Sequence, residues 1–249
     1  MKVYPVALLA ALLIVPAAVP QTIPAHPGYR LAWSDEFDGK TLDLEKWQYR
    51  SDSKMLSTQA PENVSLQDGK LVIALTRSAA DDKFPYRGGG IISMRTFRYG
   101  FYEARLKIEA GSGWHSSFWM MRYDGYDTFG DQRTLELDVL ENQSQSLLSY
   151  EWNTHEWQGT HVTMGGKKVE TPDLSKDFHT LGCEYLPDLV RYFFDGKMVA
   201  EVDVRGQPAG DLNLWLTSIA QAMGPDHGVD DKTLPGRMLV DWVRFYTRQ

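Results

Sequence analysis

The sequence predicts an all-β protein, a two-sheet β-sandwich of the jelly-roll type with a concave face able to hold an extended ligand. Three observations carry this. Short apolar or alternating runs are separated by Gly, Asp and Asn turns, and no window shows a long amphipathic helix. The 249 residues, 43% hydrophobic and 12% aromatic, are enough for one large core. Strands this numerous pack most readily as two sheets face to face.

The amino terminus stands apart. Lys2 precedes an apolar run from Val6 to Val15, then Pro16, Ala17 and Ala18, the pattern of a secretory signal peptide. Residues 1–20 are therefore expected to be a signal, and 21–249 a single exported domain, secreted or periplasmic, with no membrane attachment after cleavage. The apolar run is too short for a membrane span.

Beyond the lead Pro20, Pro24 and Pro27, the expected elements follow in order. Leu71–Leu75 after the turn Asp68-Gly69 is a strand. Gly88-Gly89-Gly90 reads as a loop, without the strand-to-helix context of a phosphate site. Gly100–Ile108 alternates Tyr102, Ala104, Leu106 and Ile108 against Phe101, Glu103, Arg105 and Lys107, so the first set faces a core. Ser117–Met121 and Leu135–Leu140 are strands. Leu189–Phe194 and Met198–Val204 form a hairpin across Asp195-Gly196. Met238–Tyr246 is the last strand. Cys183, the single cysteine, lies in an apolar stretch and reads as a small buried hydrophobe.

A net charge of −7 argues against nucleic acid or an anionic membrane as partner. The six histidines show no metal-ligand spacing. The informative segment is Glu136-Leu137-Asp138-Val139-Leu140-Glu141. Strand alternation puts Glu136 and Asp138 on one face and Leu135, Leu137 and Val139 on the other. Glu141 is one residue out of phase, and a β-bulge between Val139 and Glu141 would return it to the acidic face. After the bulge the two glutamates stand roughly 13 Å apart along the strand, at ~3.3 Å per step. Side chains leaning inward would bring their carboxyls to ~5 Å, the separation of a retaining glycosidase pair. A solvated face whose carboxylates meet basic side chains is the competing reading of these six residues.

Seven segments in order then resemble glycoside hydrolase family 16. They are Trp33-Ser34-Asp35-Glu36-Phe37-Asp38-Gly39 with Trp47; Glu62-Asn63-Val64 before Asp68-Gly69; Phe97 to Arg105; Gly113-Trp114 through Trp119-Met120; Glu136-x-Asp138-x-x-Glu141; Asp177-Phe178-His179 with Asp195-Gly196; and Val240 to Tyr246. The resemblance implies Glu136 as nucleophile, Glu141 as acid/base and Asp138 as the group that tunes Glu136. The bulged motif is typical of the family's 1,3-β-glucanases and galactanases.

The resemblance further implies sugar contacts at Asn63, Trp114, Trp119 and His155, with Arg87 and His115 added by position. It implies a structural calcium held by the carbonyls of Glu36 and Gly69 and the side chain of Asp241, and no cofactor for catalysis. The expected substrate is a polysaccharide or oligosaccharide, a β-1,3-glucan first and a β-galactan second, cut by a monomer. Transglycosylation, or carbohydrate binding without catalysis on the same fold, are the other readings. Departures bear on the sugar. Trp114-His115-Ser116-Ser117 replaces the usual Trp-Pro-Ala, and Thr134 stands where laminarin-active members carry Gly.

Overall fold

The computed structural model describes residues 26–123, 133–221 and 228–249. The expected signal peptide, residues 1–20, lies outside these residues. No helix among them is long and apolar enough to cross a membrane.

Two antiparallel sheets carry the fold. One runs from edge to edge through Trp47–Tyr49, Tyr86–Ser93, Asn213–Ala220, Trp114–Met121, Arg133–Gln143, Ser149–Gln158 and His161–Glu170. The other runs through Val64–Gln67, Lys70–Arg77, Gly236–Arg248, Gly100–Lys107, His179–Tyr185, Leu189–Phe194 and Lys197–Asp203. Tyr29–Asp35 completes it beside the carboxyl-terminal half of Gly236–Arg248. The pairs Thr76–Arg87 and Arg77–Tyr86 carry the ladder from one sheet into the other.

The alternation read in the sequence explains the core. Leu137, Phe118, Met120 and Leu216 of the first sheet join Tyr102, Ala104, Leu181 and Val240 of the second in one cluster, each at most 2% exposed before the sheets' edges are reached. Cys183 is buried and unpaired within it, and burial pushes its thiol up. The hairpin forms where expected, with Asp195 and Gly196 both at positive φ (45° and 74°), the geometry a two-residue turn requires.

One local reading is corrected. Gly88-Gly89-Gly90 is not a loop but part of the strand Tyr86–Ser93. A Cβ on Gly88 would sit 2.2 Å from the Ser218 carbonyl oxygen, and one on Gly90 2.9 Å from that of Leu216. The glycines serve close backbone approach to the neighbouring strand. The polar strand His161–Glu170 carries no apolar alternation and is held as a strand by its ladder to Ser149–Gln158.

Glu109 is buried behind the strand Trp114–Met121. Ser116 Oγ donates to its Oε2 at 2.9 Å, while Oε1 has no partner among the described residues. Burial pushes its carboxyl up to about 7. An acid raised in the folded state keeps its full contribution below its unfolded value of about 4.5 and loses it as pH rises through about 7. Glu109→Gln is therefore expected to flatten the fall in Tm between pH 5 and 8, an effect worth up to about 3 kcal/mol. Parallel melting curves for the two proteins across that range would exclude this role.

Candidate active site

The bulge decides the site. On one side of Arg133–Gln143, Asp138 pairs with Asn153 and Glu141 with Glu151, so three steps face two. On the other side, Asp138 pairs with Trp119 and Leu140 with Phe118, so two steps face one. The extra residue sends both Val139 and Leu140 into the core and returns Glu141 to the face of Glu136 and Asp138. All three carboxylates line one cleft, and polar atoms of Asp138, Glu141 and His155 lie within 4.8 Å of one another.

Neighbouring strands present their odd-numbered residues to this face. Ser149–Gln158 supplies Asn153, His155 and Trp157. Trp157 Nε1 donates to Glu136 Oε2 at 2.6 Å, and Asn153 Nδ2 to Glu141 Oε2 at 2.5 Å. His155 Nε2 lies 3.2 Å from Asp138 Oδ2, with Nδ1 3.0 Å from Thr163 Oγ1. Trp114–Met121 supplies His115, Ser117 and Trp119. His115 Nε2 lies 3.4 Å from Glu141 Oε1. Trp119 stacks on Trp215 with ring centroids 4.4 Å apart and leaves a half-buried face beside the acids. That is an apolar platform of the kind sugar rings require.

Two cations complete the cleft. Arg50 is buried and clamped by Asp52 through contacts of 2.7 and 2.8 Å. Lys54 lines the same cleft without an ion pair to any described carboxylate, and its charge acts on Glu136 and Asp138. It arrives there on the short strand Ser53–Lys54, turned back through Met55 at φ 57°.

The acids are held in different states. Burial, reinforced by the charges of Glu136 and Glu141, pushes Asp138 well above the ordinary carboxylate range. Burial and the Glu141 charge raise Glu136 to about 7, against the Trp157 donor and Lys54. Burial also penalises the Glu141 anion, but donors and positive charge from His115, with Asn153 and His155, outweigh it and hold Glu141 below its usual value. His155 is lowered by burial and by His161, partly offset by Glu141. Protonation of Asp138 is favoured because its charge would repel the acids on either side. The three titrate as one cluster.

Of the residues expected to touch sugar, Trp119, His115 and His155 reach the cleft. Trp114 does not. It lies five residues from Trp119, so strand alternation turns it inward, where it is 1% exposed. Asn63 is also buried. Its Nδ2 lies 2.8 to 3.0 Å from Ala74 O, Thr76 Oγ1 and Arg87 O, bracing two strands rather than facing the cleft. Arg87 is spent on Asp82, 2.8 Å away, and Glu62. The calcium expected at Glu36, Gly69 and Asp241 meets a competitor. Arg105 Nη1 sits 2.5 Å from Asp241 Oδ2. A calcium there has to share Asp241 with Arg105, and no chemistry below depends on it.

Arg50, Lys54, Asn153 and Trp157 belong to the site without having been singled out in the sequence. Asn153 and Trp157 share the parity of His155, which is a usable signal. The two cations are brought in by long-range packing and have none.

The family model described as Beta-porphyranase A-D, GH16 domain, matches residues 30–248. A beta-glucanase of Rhodothermus marinus is 26% identical over 253 residues, covering 88% of this chain and 86% of its own. Beta-porphyranase B of Zobellia galactanivorans is 29% identical over 245 residues, covering 85% and 81%. Among solved structures, SCLam, a non-specific endo-beta-1,3(4)-glucanase from family GH16, superposes with a TM-score of 0.77 at 25% identity, over 93% of this chain and 95% of that one.

Proposed function

The chain belongs to glycoside hydrolase family 16, and from that premise we propose that it is an exported, retaining endo-β-glycosidase acting on a β-galactan that carries anionic groups. The observation that carries the reaction class is the bulged strand, which places Glu136, Asp138 and Glu141 in one cleft. Glu136 attacks the anomeric carbon and forms a glycosyl ester. Glu141 protonates the departing oxygen and then activates water for the second displacement. Trp157 orients Glu136 through its indole N–H. The upward shift of Asp138 favours its holding a proton beside Glu136, which eases ionisation of the nucleophile.

The substrate reading moves from the order the sequence suggested. A neutral β-1,3-glucan offers Lys54 only hydroxyl oxygens to donate to, whereas a sulfate or carboxylate on the sugar adds a charge-assisted pair. The porphyranase-type family model supports the same choice. The glucanase relatives favour the β-1,3-glucan, which stays as the second reading. Product analysis on porphyran, carrageenan, agarose and laminarin separates them. Oligosaccharides from a charged galactan are expected, and turnover of laminarin above every galactan would reverse the order. Lys54→Gln is expected to raise KM for the charged polymer roughly tenfold, the worth of a charge-assisted hydrogen bond. An unchanged KM would remove Lys54 from recognition.

A further inference from the structure

The second sheet has an outer face of its own, turned away from the cleft. There Lys70–Arg77, Gly236–Arg248 and Gly100–Lys107 lie side by side, with Leu239 opposite both Val72 and Lys107. Leu71, Leu106, Met238 and Val240 fill the core, so alternation sends Lys70, Arg105, Lys107 and Arg237 outward.

Three of these cations converge on one half-buried aromatic ring. Arg105 Cζ lies 4.9 Å from the Phe178 ring centroid, Lys107 Nζ 5.6 Å and Lys70 Nζ 6.0 Å. The negative face of the ring holds together like charges that otherwise repel. Among the described residues, only Arg105 of the four is given a carboxylate, that of Asp241. Lys70 donates to the Asp68 carbonyl at 3.0 Å and Arg237 to Gln67 Oε1 at 3.4 Å, both neutral acceptors. Beside Lys107 and Arg237 the surface sinks into a hollow of about 350 Å³, lined also by Ser175, Thr233 and Leu239. Glu109 borders it too, but is buried, with Oε2 bonded to Ser116. A chain of net charge −7 thus keeps an unneutralised cationic strip on the sheet opposite its catalytic acids. The strip crosses two strand intervals, about 10 Å. That is too spread for one small anion and suits a polymer charged at repeating positions.

We propose that this strip is a second binding site for anionic polysaccharide, with the hollow taking a sugar ring and Lys107 and Arg237 its sulfate or carboxylate. This rests on the anionic-galactan reading above. Charged oxygens accept charge-assisted hydrogen bonds from both side chains, and sugar hydroxyls pair with Ser175 and Thr233. The site lies across the sandwich from Glu136 and takes no part in bond cleavage. It keeps the enzyme on the polymer, so that the cleft meets further segments at a raised effective concentration.

Affinity electrophoresis in gels containing carrageenan or laminarin tests this, with Glu136→Gln in every protein so that the polymer survives. Carrageenan should retard the protein more than laminarin does. Adding Lys107→Gln and Arg237→Gln should weaken the apparent affinity for carrageenan about three- to tenfold, the worth of two exposed charge pairs. Both positions reach the surface, so folding should be kept. In otherwise wild-type enzyme the same two substitutions should leave kcat/KM unchanged on a charged galactan tetrasaccharide, which occupies the cleft alone, and lower turnover of dilute polymer. Retardation by carrageenan that the two substitutions leave unchanged overturns the second site, as does an equal loss of turnover on tetrasaccharide and polymer. Retardation that they weaken, in an enzyme releasing no oligosaccharide from any charged galactan, supports the site and overturns the substrate reading beneath it.

Discussion

Glu136→Ala is expected to lower kcat on polysaccharide by roughly four orders of magnitude or more, the scale seen when a covalent nucleophile is removed. Stability should change little or improve, because burial and the Glu141 charge make the Glu136 anion costly in the folded state. Polysaccharide binding should persist, since Trp119 and the cleft cations remain. Azide supplies a small external nucleophile where the carboxylate was. With an activated aryl glycoside it should restore turnover and yield a glycosyl azide of inverted configuration. Turnover of polysaccharide surviving in the variant at more than a few per cent would remove Glu136 from the nucleophile's place.

Glu141→Ala gives the complementary pattern. Loss of general acid catalysis costs roughly 10²- to 10⁴-fold on polysaccharide, where the leaving group is a sugar hydroxyl. A dinitrophenyl glycoside leaves without help, so formation of the glycosyl-enzyme should stay near wild type and its hydrolysis should become slow. Accumulation of that intermediate, visible as a burst of phenolate, is the signature. Azide should here give a product of retained configuration, because it attacks the ester from the face where water normally enters. The same azide anomer from both variants would contradict the division of roles.

These effects trace to a one-residue slip that was legible in the sequence. Alternation placed Glu136 and Asp138 together, and Glu141 could join them only through an extra residue, which the pairing registers show. The sheet framework was legible for the same reason, because Leu137, Tyr102, Val240 and their neighbours alternate with polar partners. Alternation also held the answer on the tryptophans. Trp114 and Trp119 are an odd number of residues apart on one strand, so both could not face the cleft, and Trp114 fills the core. Three features were not legible. The triple glycine reads locally as a loop, and its reason is a carbonyl on a strand more than a hundred residues away. Asn63 and Arg87 occupy suggestive positions, but their hydrogen bonds and ion pairs are spent within the fold. Lys54 reaches the cleft through a two-residue strand and a left-handed Met55, a path no periodicity encodes.

Glu136 and Glu141 acting as a double-displacement pair fixes the anomer that is released first. Proton NMR of the first product released from polysaccharide, recorded before mutarotation, tests it most directly. The new reducing end is expected to appear first as the β-anomer and to equilibrate toward α. An α-anomer appearing first would mean a single displacement by water, and the roles assigned to both glutamates would be wrong.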